Sequence, residues 1–467
     1  MRKLLALVVG LALTALGFAD TEFLGIFIGG NHIGYSSTAT MTDRLNGVVR
    51  NRTDSKTVLD AALLGAAMKT VIDSRTWYDQ AKRPLRMEFK VESAGRVQTT
   101  VATFKSGSIQ LEMENGGQKS TKTLTLPTDA PVVDDAVSAL LADGGSKPKA
   151  YYVLDPMTAS LVKNTVSNKG KGRVTVQGKE FDATLIVVRE PRATMTLYMG
   201  AKGDVIKIDG PMGMEMIPMS EAEATAGATG GGENTDLATA TAIRPSRSIG
   251  DASALKSLAL KITGHDLGAL PSDAFQSVNR AGKAWKVVLH PFAMNTNTTI
   301  AQAQKAKSAW TRPTLNIPAR DATFVALAKK LIGPAKTVAE ASKRVRDYVY
   351  DVMKPNAGIG VLRDAREILK TKEGVCRDYA TLTATLLRAG KVPTRLVSGL
   401  VLQDDQYFYH AWVEVWDGKH WSGVDSTRPK AMLGADHLKL AQGNVEEAFN
   451  FTFLDHVKID VLDVRRN

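Results

Sequence analysis

The sequence predicts a multidomain protein, with a mainly-β N-terminal region followed by an α+β C-terminal region. Three observations carry that prediction. At 467 residues the chain is longer than one hydrophobic core normally serves. Period-two stretches dominate from Phe23 to about Met219, whereas helical periodicity takes over from Ala319. Between them, residues 220–245 are rich in Ala, Thr and Gly around Gly230-Gly231-Gly232, the composition of a flexible linker.

The N-terminus reads as an export signal. Met1-Arg2-Lys3 is a positive start, Leu4 to Leu16 is an apolar run, and Gly17-Phe18-Ala19 offers a small-x-small cleavage site. The expectation is a signal peptide over residues 1–19 and a periplasmic or secreted protein. An uncleaved anchor is the alternative, although the apolar run is short for a span.

Residues 20–219 are expected to form a β-rich envelope domain. Leu85-Arg86-Met87-Glu88-Phe89-Lys90-Val91 and Thr184-Leu185-Ile186-Val187-Val188 are typical of its strands. Helical interludes are expected over 131–142 and 155–162. Met212, Met214, Met216 and Met219 form a methionine cluster; without nearby His or Cys it reads as packing rather than a copper site. Residues 246–318 return to short strands, such as Lys283-Ala284-Trp285-Lys286-Val287-Val288-Leu289, and are expected to be a small β-module or an N-terminal extension of the C-terminal domain.

From residue 319 to 467 the pattern is that of an α+β domain. Phe324, Leu327, Ala328 and Leu331 share a helical face, and Ala341, Val345 and Val349 mark a second helix over 338–353. A short third helix begins at Ala365. It leads into the only cysteine of the chain, Cys376, in Gly374-Val375-Cys376-Arg377-Asp378-Tyr379-Ala380.

That cysteine is the most informative residue. An exported protein using cysteine for stability carries paired thiols; a single thiol cannot form an internal bridge and is exposed to oxidation, so its retention points to chemistry. At a helix start it feels the positive end of the dipole, which favours thiolate. Its N–H is a natural oxyanion donor, and Gly374 would let backbone approach an acyl group. Downstream, Tyr407 to Trp416 alternates as a strand, with Phe408, His410, Trp412, Glu414 and Trp416 on one face. A turn at Asp417-Gly418 returns Trp421-Ser422-Gly423-Val424-Asp425 as a hairpin partner, which would bring Asp425 near His410. Cys376, His410 and Asp425 thus supply a nucleophile, a base and an orienting carboxylate. Asp378 reads as a helix-start charge, and Trp412 as a cover for the imidazole, a lining of the acyl cleft or core packing. The remaining histidines, His437 among them, show no ligand spacing, so no metal or cofactor is expected.

These motifs also resemble the transglutaminase-like core family, bacterial exported type. The resemblance rests on Gly-Val-Cys with Asp-Tyr-Ala, on Leu386 to Arg395, on His410-Ala411-Trp412-Val413-Glu414-Val415, and on Trp421 leading to Val424-Asp425-Ser426-Thr427. It covers roughly residues 320–430. It implies a papain-related fold with Cys376 as nucleophile, His410 as general base and acid, and Asp425 as its orienter. The family usually has Asp-Pro-Thr at Asp425-Ser426-Thr427 and Gly-Ile-Pro at Lys391-Val392-Pro393. Tyr348 and Tyr350 are candidates for an upstream group completing the oxyanion hole.

A net charge of +12 predicts attraction to anionic cell-envelope components. The absence of a dense basic-aromatic run points away from nucleic acid. The expected function is a cysteine-dependent acyl transfer on protein or peptide amides through a thioester, hydrolytic rather than cross-linking. The alternative is a non-catalytic envelope scaffold or binding protein on the same fold.

Overall fold

The structure is a computed structural model that describes residues 21–63, 66–115, 117–145, 147–190, 193–226, 236–264, 269–359, 362–429, 433–448 and 457–466. The expected signal peptide and the Gly230-Gly231-Gly232 centre of the expected linker lie outside the described residues. Among the described residues no helix is long and apolar enough to cross a membrane. The chain forms a large all-β region followed by an α/β region. It divides into two compact units, Met1–Ala240 with Ala357–Leu362, and Thr241–Asn356 with Arg363–Asn467.

The first unit is built on one 14-stranded antiparallel sheet. From Glu22–Ile28 the chain meanders hairpin by hairpin to an edge at Gln118–Thr125. It restarts at the opposite edge, Lys149–Asp155, and meanders back until Met214–Met219 pairs with Glu22–Ile28. Short turns between alternating strands make sequence neighbours into sheet neighbours, which is why the period-two pattern is so regular. Ile26, Ile33, Leu59, Phe89, Val91, Val166, Ile186 and Leu197 form its core. Met214 and Met216 belong to that core, which gives both a packing role. Of the helix expected over 131–142, residues 136–142 are helical, N-capped by Asp135 and burying Ala136, Val137 and Leu140, while Val132 bridges Tyr152 instead.

The second expected helix, over 155–162, is absent. Strands Lys149–Asp155 and Ser160–Val176 pair there instead, joined by a tight turn. The Asp155 carboxylate accepts the N–H groups of Met157 at 2.9 Å and Thr158 at 3.3 Å. Asp-Pro-Met-Thr reads as a helix start because this Asx turn uses the same hydrogen bonds as an N-cap.

In the second unit a four-stranded sheet contains Gln276–Ala281, Ala284–Leu289 and Leu255–Thr263, closed by the last strand of the chain, Lys458–Arg466. That closure has no counterpart in the sequence pattern, because pairing between segments so distant leaves no local signal. Helices Ala322–Ile332, Val338–Val352 and Ala365–Thr371 follow, each capped by a side chain: Asp321, Thr337 and Asp364 respectively. They bury Phe324, Ala328 and Ile332, then Val338, Ala341, Val345 and Val349, an i, i+4 spacing that makes one apolar stripe per helix.

A second four-stranded antiparallel sheet holds the site. Its order is Trp421–Val424, Gln406–Trp416, Thr394–Gln403, His437–Gly443. The Cys376–Ala389 helix packs against this sheet and against the helices at 322–332 and 338–352, and every residue from Arg377 to Ala389 is buried. Burial on all sides explains why that helix carries so few surface charges. The two sheets are joined by ions. Lys439, fully buried, bonds to Asp273 and, at 2.6 Å, to Glu414, which also binds Arg395 at 2.6 Å. Such a cluster is tolerated only because each charge meets an opposite one.

Candidate active site

The structure brings Cys376, His410 and Asp425 together. Cys376 is the first residue of its helix, partly exposed and unbridged. His410 pairs with Gly399 in the middle of the sheet. A Cβ on Gly399 would meet the Trp412 ring at 2.8 Å and the Leu438 carbonyl at 2.0 Å, so only glycine admits both neighbours. Asp425 directly follows the short strand Trp421–Val424, whose pairing of Val413 with Val424 sets the register that carries the carboxylate to His410.

His410 Nε2 lies 2.8 Å from Asp425 Oδ2, both side chains being buried. The Cys376 sulfur hydrogen-bonds to the same imidazole and also accepts the Ala411 N–H. That N–H is available because the strand at 421–424 pairs only as far as Val413. Trp412 is buried, with its ring centroid 6.2 Å from that of His410 and the planes 25° apart.

The electrostatics follow from these contacts. Burial pushes the Cys376 thiol up, but the hydrogen bond and charge of His410, with Arg377 and the Ala411 N–H, outweigh it and bring the thiol below its ordinary value. Burial would lower His410, yet the Asp425 charge and hydrogen bond, with the sulfur, push it up to about 10. Burial would raise Asp425, but His410 and then His437 hold it well below the usual carboxylate range. All three shifts favour a thiolate–imidazolium pair backed by a carboxylate.

The loop after Asp425 fixes its rotation. Thr427 donates its N–H at 2.9 Å and its hydroxyl at 2.8 Å to Asp425 Oδ1, leaving Oδ2 for His410. Ser426, at the position where the family usually has Pro, lies 2.7 Å from Thr383 on the cysteine helix.

Asp378 is a helix-start residue, and more. Its carboxylate accepts the Val375 N–H at 3.0 Å and pairs at 3.3 Å with Arg363, whose side chain is fully buried. Arg363 also donates to the Glu373 carbonyl and, at 3.0 Å, to Thr371. This explains Gly374 differently from the expected substrate approach: a Cβ there would sit 2.6 Å from the Arg363 guanidinium and 2.6 Å from the Asp378 Cβ. The glycine makes room for the buried ion pair. Tyr350 is exposed at the surface and interacts with Tyr379, while Tyr348 is half-buried.

Residues 325–426 match the sequence profile of the Transglutaminase-like superfamily, a span running from within the helix Ala322–Ile332 to the residue after Asp425. This region is a transglutaminase-like domain. No curated protein matches the chain. Among solved structures, a candidate cysteine protease from Cytophaga hutchinsonii is similar over 46% of this chain and 89% of its own, with 16% identity and a TM-score of 0.35. A β-barrel-like protein of a domain of unknown function from Brucella abortus is similar over 43% of this chain and 94% of its own, with 11% identity and a TM-score of 0.32. A candidate protease from Parabacteroides distasonis covers 76% of this chain and 68% of its own, at 11% identity and a TM-score of 0.20.

The sheet that carries His410 in this transglutaminase-like site holds a further group that the sequence did not reveal. His437, on the far strand of its sheet, presents Nδ1 to Asp436 Oδ1 at 2.8 Å and Nε2 to Asp425 Oδ2 at 3.4 Å. Asp436 in turn binds Arg428. The ligand-type atoms of His410, Asp425 and His437 all lie within 4.8 Å of one another. Those atoms are engaged with each other in a hydrogen-bonded relay, which fits proton chemistry. A residue 12 positions beyond Asp425, on a strand that pairs with a third strand, carries no spacing signal that could have disclosed it.

Proposed function

We propose that this chain is an exported cysteine-dependent acyl-transfer enzyme that cleaves protein or peptide amides through a Cys376-His410-Asp425 triad and a thioester. One observation supports the reading above the rest. The chain's only thiol is hydrogen-bonded to a buried imidazole whose Nε2 lies 2.8 Å from a buried carboxylate. A core cysteine gains nothing from such a partner.

In the proposed reaction the Cys376 thiolate attacks the amide carbonyl carbon, and the carbonyl π pair moves to oxygen. The N–H of Cys376, at the helix N-terminus, is positioned to donate to that oxyanion. Collapse breaks the C–N bond, and the leaving nitrogen takes its proton from the His410 imidazolium. The thioester remains. Neutral His410 then removes a proton from water, hydroxide adds to the thioester, and collapse releases the acid and the thiolate while His410 keeps the proton. Asp425 holds the ring through both half-reactions and stabilises its charged form.

Water is favoured over an amine as acceptor because no residue pattern in the chain announces an amine site. The export signal and the +12 charge support action in the cell envelope, where anionic polymers would concentrate the enzyme on its substrate. Alkylation of Cys376 by iodoacetamide across pH tests the reading. An activated thiol reacts well below pH 8, whereas titration near the free-thiol value of about 8.5 would exclude the triad.

A further inference from the structure

Asp425 Oδ2 is shared between two imidazoles. His410 approaches it at 2.8 Å and His437 at 3.4 Å, with the two rings 5.8 Å apart and inclined at 61°. His437 is 1% exposed, so it cannot touch a substrate. Its Nδ1 faces Asp436 Oδ1 and its Nε2 faces Asp425 Oδ2. Carboxylate oxygens only accept, so a His437 nitrogen bonds to either one only by donating to it. Asp436 is anchored in turn by Arg428, whose Nε lies 3.8 Å from Asp425 Oδ2. Cys376, His410, Asp425, His437, Asp436 and Arg428 therefore form one contiguous chain of polar contacts. The second oxygen of Asp425 is already fixed by Thr427, so its orientation does not depend on His437.

We propose that His437 is a positioning residue of the transglutaminase-like site that draws part of the Asp425 charge away from His410 and so sets how readily His410 releases its proton. The inference rests on the triad reading given above. Its chemical sense lies in the leaving-group step. A carboxylate bound to His410 alone would stabilise the imidazolium so strongly that proton delivery to the departing amine would slow. A second donor on the same oxygen moderates that hold. The charged and titratable groups around the pair are His410, two strands away across Thr394–Gln403, Cys376 and Arg377 on the helix, Arg428 and Asp436 on the loop, and Tyr407, which interacts with Asp436.

The direction of the effect distinguishes this role from a structural one. An asparagine amide at position 437 can replace the Nδ1 donor toward Asp436, and a glutamine amide the Nε2 donor toward Asp425. The bell-shaped pH profiles of kcat and of Cys376 alkylation are measured on the full-length protein, with EDTA present, for wild type, His437→Asn and His437→Gln. The expected result is an alkaline limb moved upward by about half a pH unit in His437→Asn, with kcat reduced and KM unchanged, and a limb coincident with wild type in His437→Gln. A limb that moves downward in His437→Asn is the outcome of mere loosening of Asp425, and it overturns the proposal. So does a limb that does not move. A wild-type thiol titrating near the ordinary value of about 8.5 would overturn the triad reading and this inference together. An activated wild-type thiol with an unshifted His437→Asn limb overturns this inference alone.

Discussion

Ser426 Oγ lies 2.7 Å from Thr383 Oγ1, so the loop that carries Asp425 is bonded directly to the helix that carries Cys376. Thr383 already donates to the Tyr379 carbonyl at 2.7 Å, which makes Ser426 the donor. Ser426→Ala removes that link while leaving Thr383 bonded. It should cost about 1 kcal/mol of stability and lower turnover, since the carboxylate and the thiol then lose their shared reference. Calorimetry on wild type and variant checks the first part; an unchanged melting profile would mean the link is idle.

Cys376→Ala and Cys376→Ser should both abolish amide turnover while leaving the fold intact, because the buried helix behind the thiol, from Arg377 to Ala389, is untouched. A serine variant that turned over at the wild-type rate would remove Cys376 from the chemistry. Circular dichroism verifies that the fold persists.

With one cysteine in the chain, thiol alkylation reports on a single site. His410→Ala removes the partner that brings the thiol down, so the apparent pKa of alkylation should rise toward about 8.5. Asp425→Asn should move that pKa less and turnover more, because the carboxylate acts on sulfur only through the ring. Equal effects of the two variants on alkylation would contradict this order.

The same contacts predict a pH dependence of stability. His410 holds its proton more tightly in the folded chain, up to about 10, than in the unfolded chain near 6.5. Its stabilisation is therefore complete below about 6.5 and is lost as pH rises through about 10. Asp425 is depressed, so its contribution is present above about 3.8 and lost as pH falls through its lower folded value. Urea titrations from pH 6 to 10 should show the alkaline loss in wild type and a flatter curve in Asp425→Asn, where His410 no longer has a carboxylate to hold its proton.

Arg363→Met removes the nearer cation of buried Asp378 and leaves it the Val375 N–H and the more distant Arg377, at 3.9 Å. Breaking a buried pair in this way should destabilise the chain by about 3–5 kcal/mol. A change below about 1 kcal/mol, read from the midpoint of urea unfolding, would show that the pair does not shape the cysteine turn.

The parts of the fold that follow local rules were legible in the sequence. Phe324 and Ala328 announced a helix face, alternation from Phe408 to Trp416 set His410 on its strand, and Asp417-Gly418 announced the turn that returns Asp425. Asp155 misled because an Asx turn and a helix N-cap use the same side-chain bonds. Arg363 and His437 were invisible for a different reason. Each is tied to its partner by tertiary contact: Arg363 to Asp378 across two turns of chain, His437 to Asp425 across a sheet whose strand order departs from sequence order. Gly374 was seen, but its reason was not, because the crowding that demands it comes from Arg363.

The strand Lys458–Arg466 has a bearing on how the protein comes into being. It pairs with Leu255–Thr263, bringing Leu260 opposite Val461, about 200 residues later in the chain. During synthesis, the first strand must wait for the roughly 200 residues up to its partner to emerge before that edge is covered. Gln276 meanwhile binds the Lys439 backbone through both its amide nitrogen and its oxygen, each at 2.8 Å, tying the same sheet to the one that holds His410. A nascent chain that stops short of Lys458 therefore lacks the partner that covers the Leu255–Thr263 edge, in the sheet that Gln276 ties to the strand of Lys439.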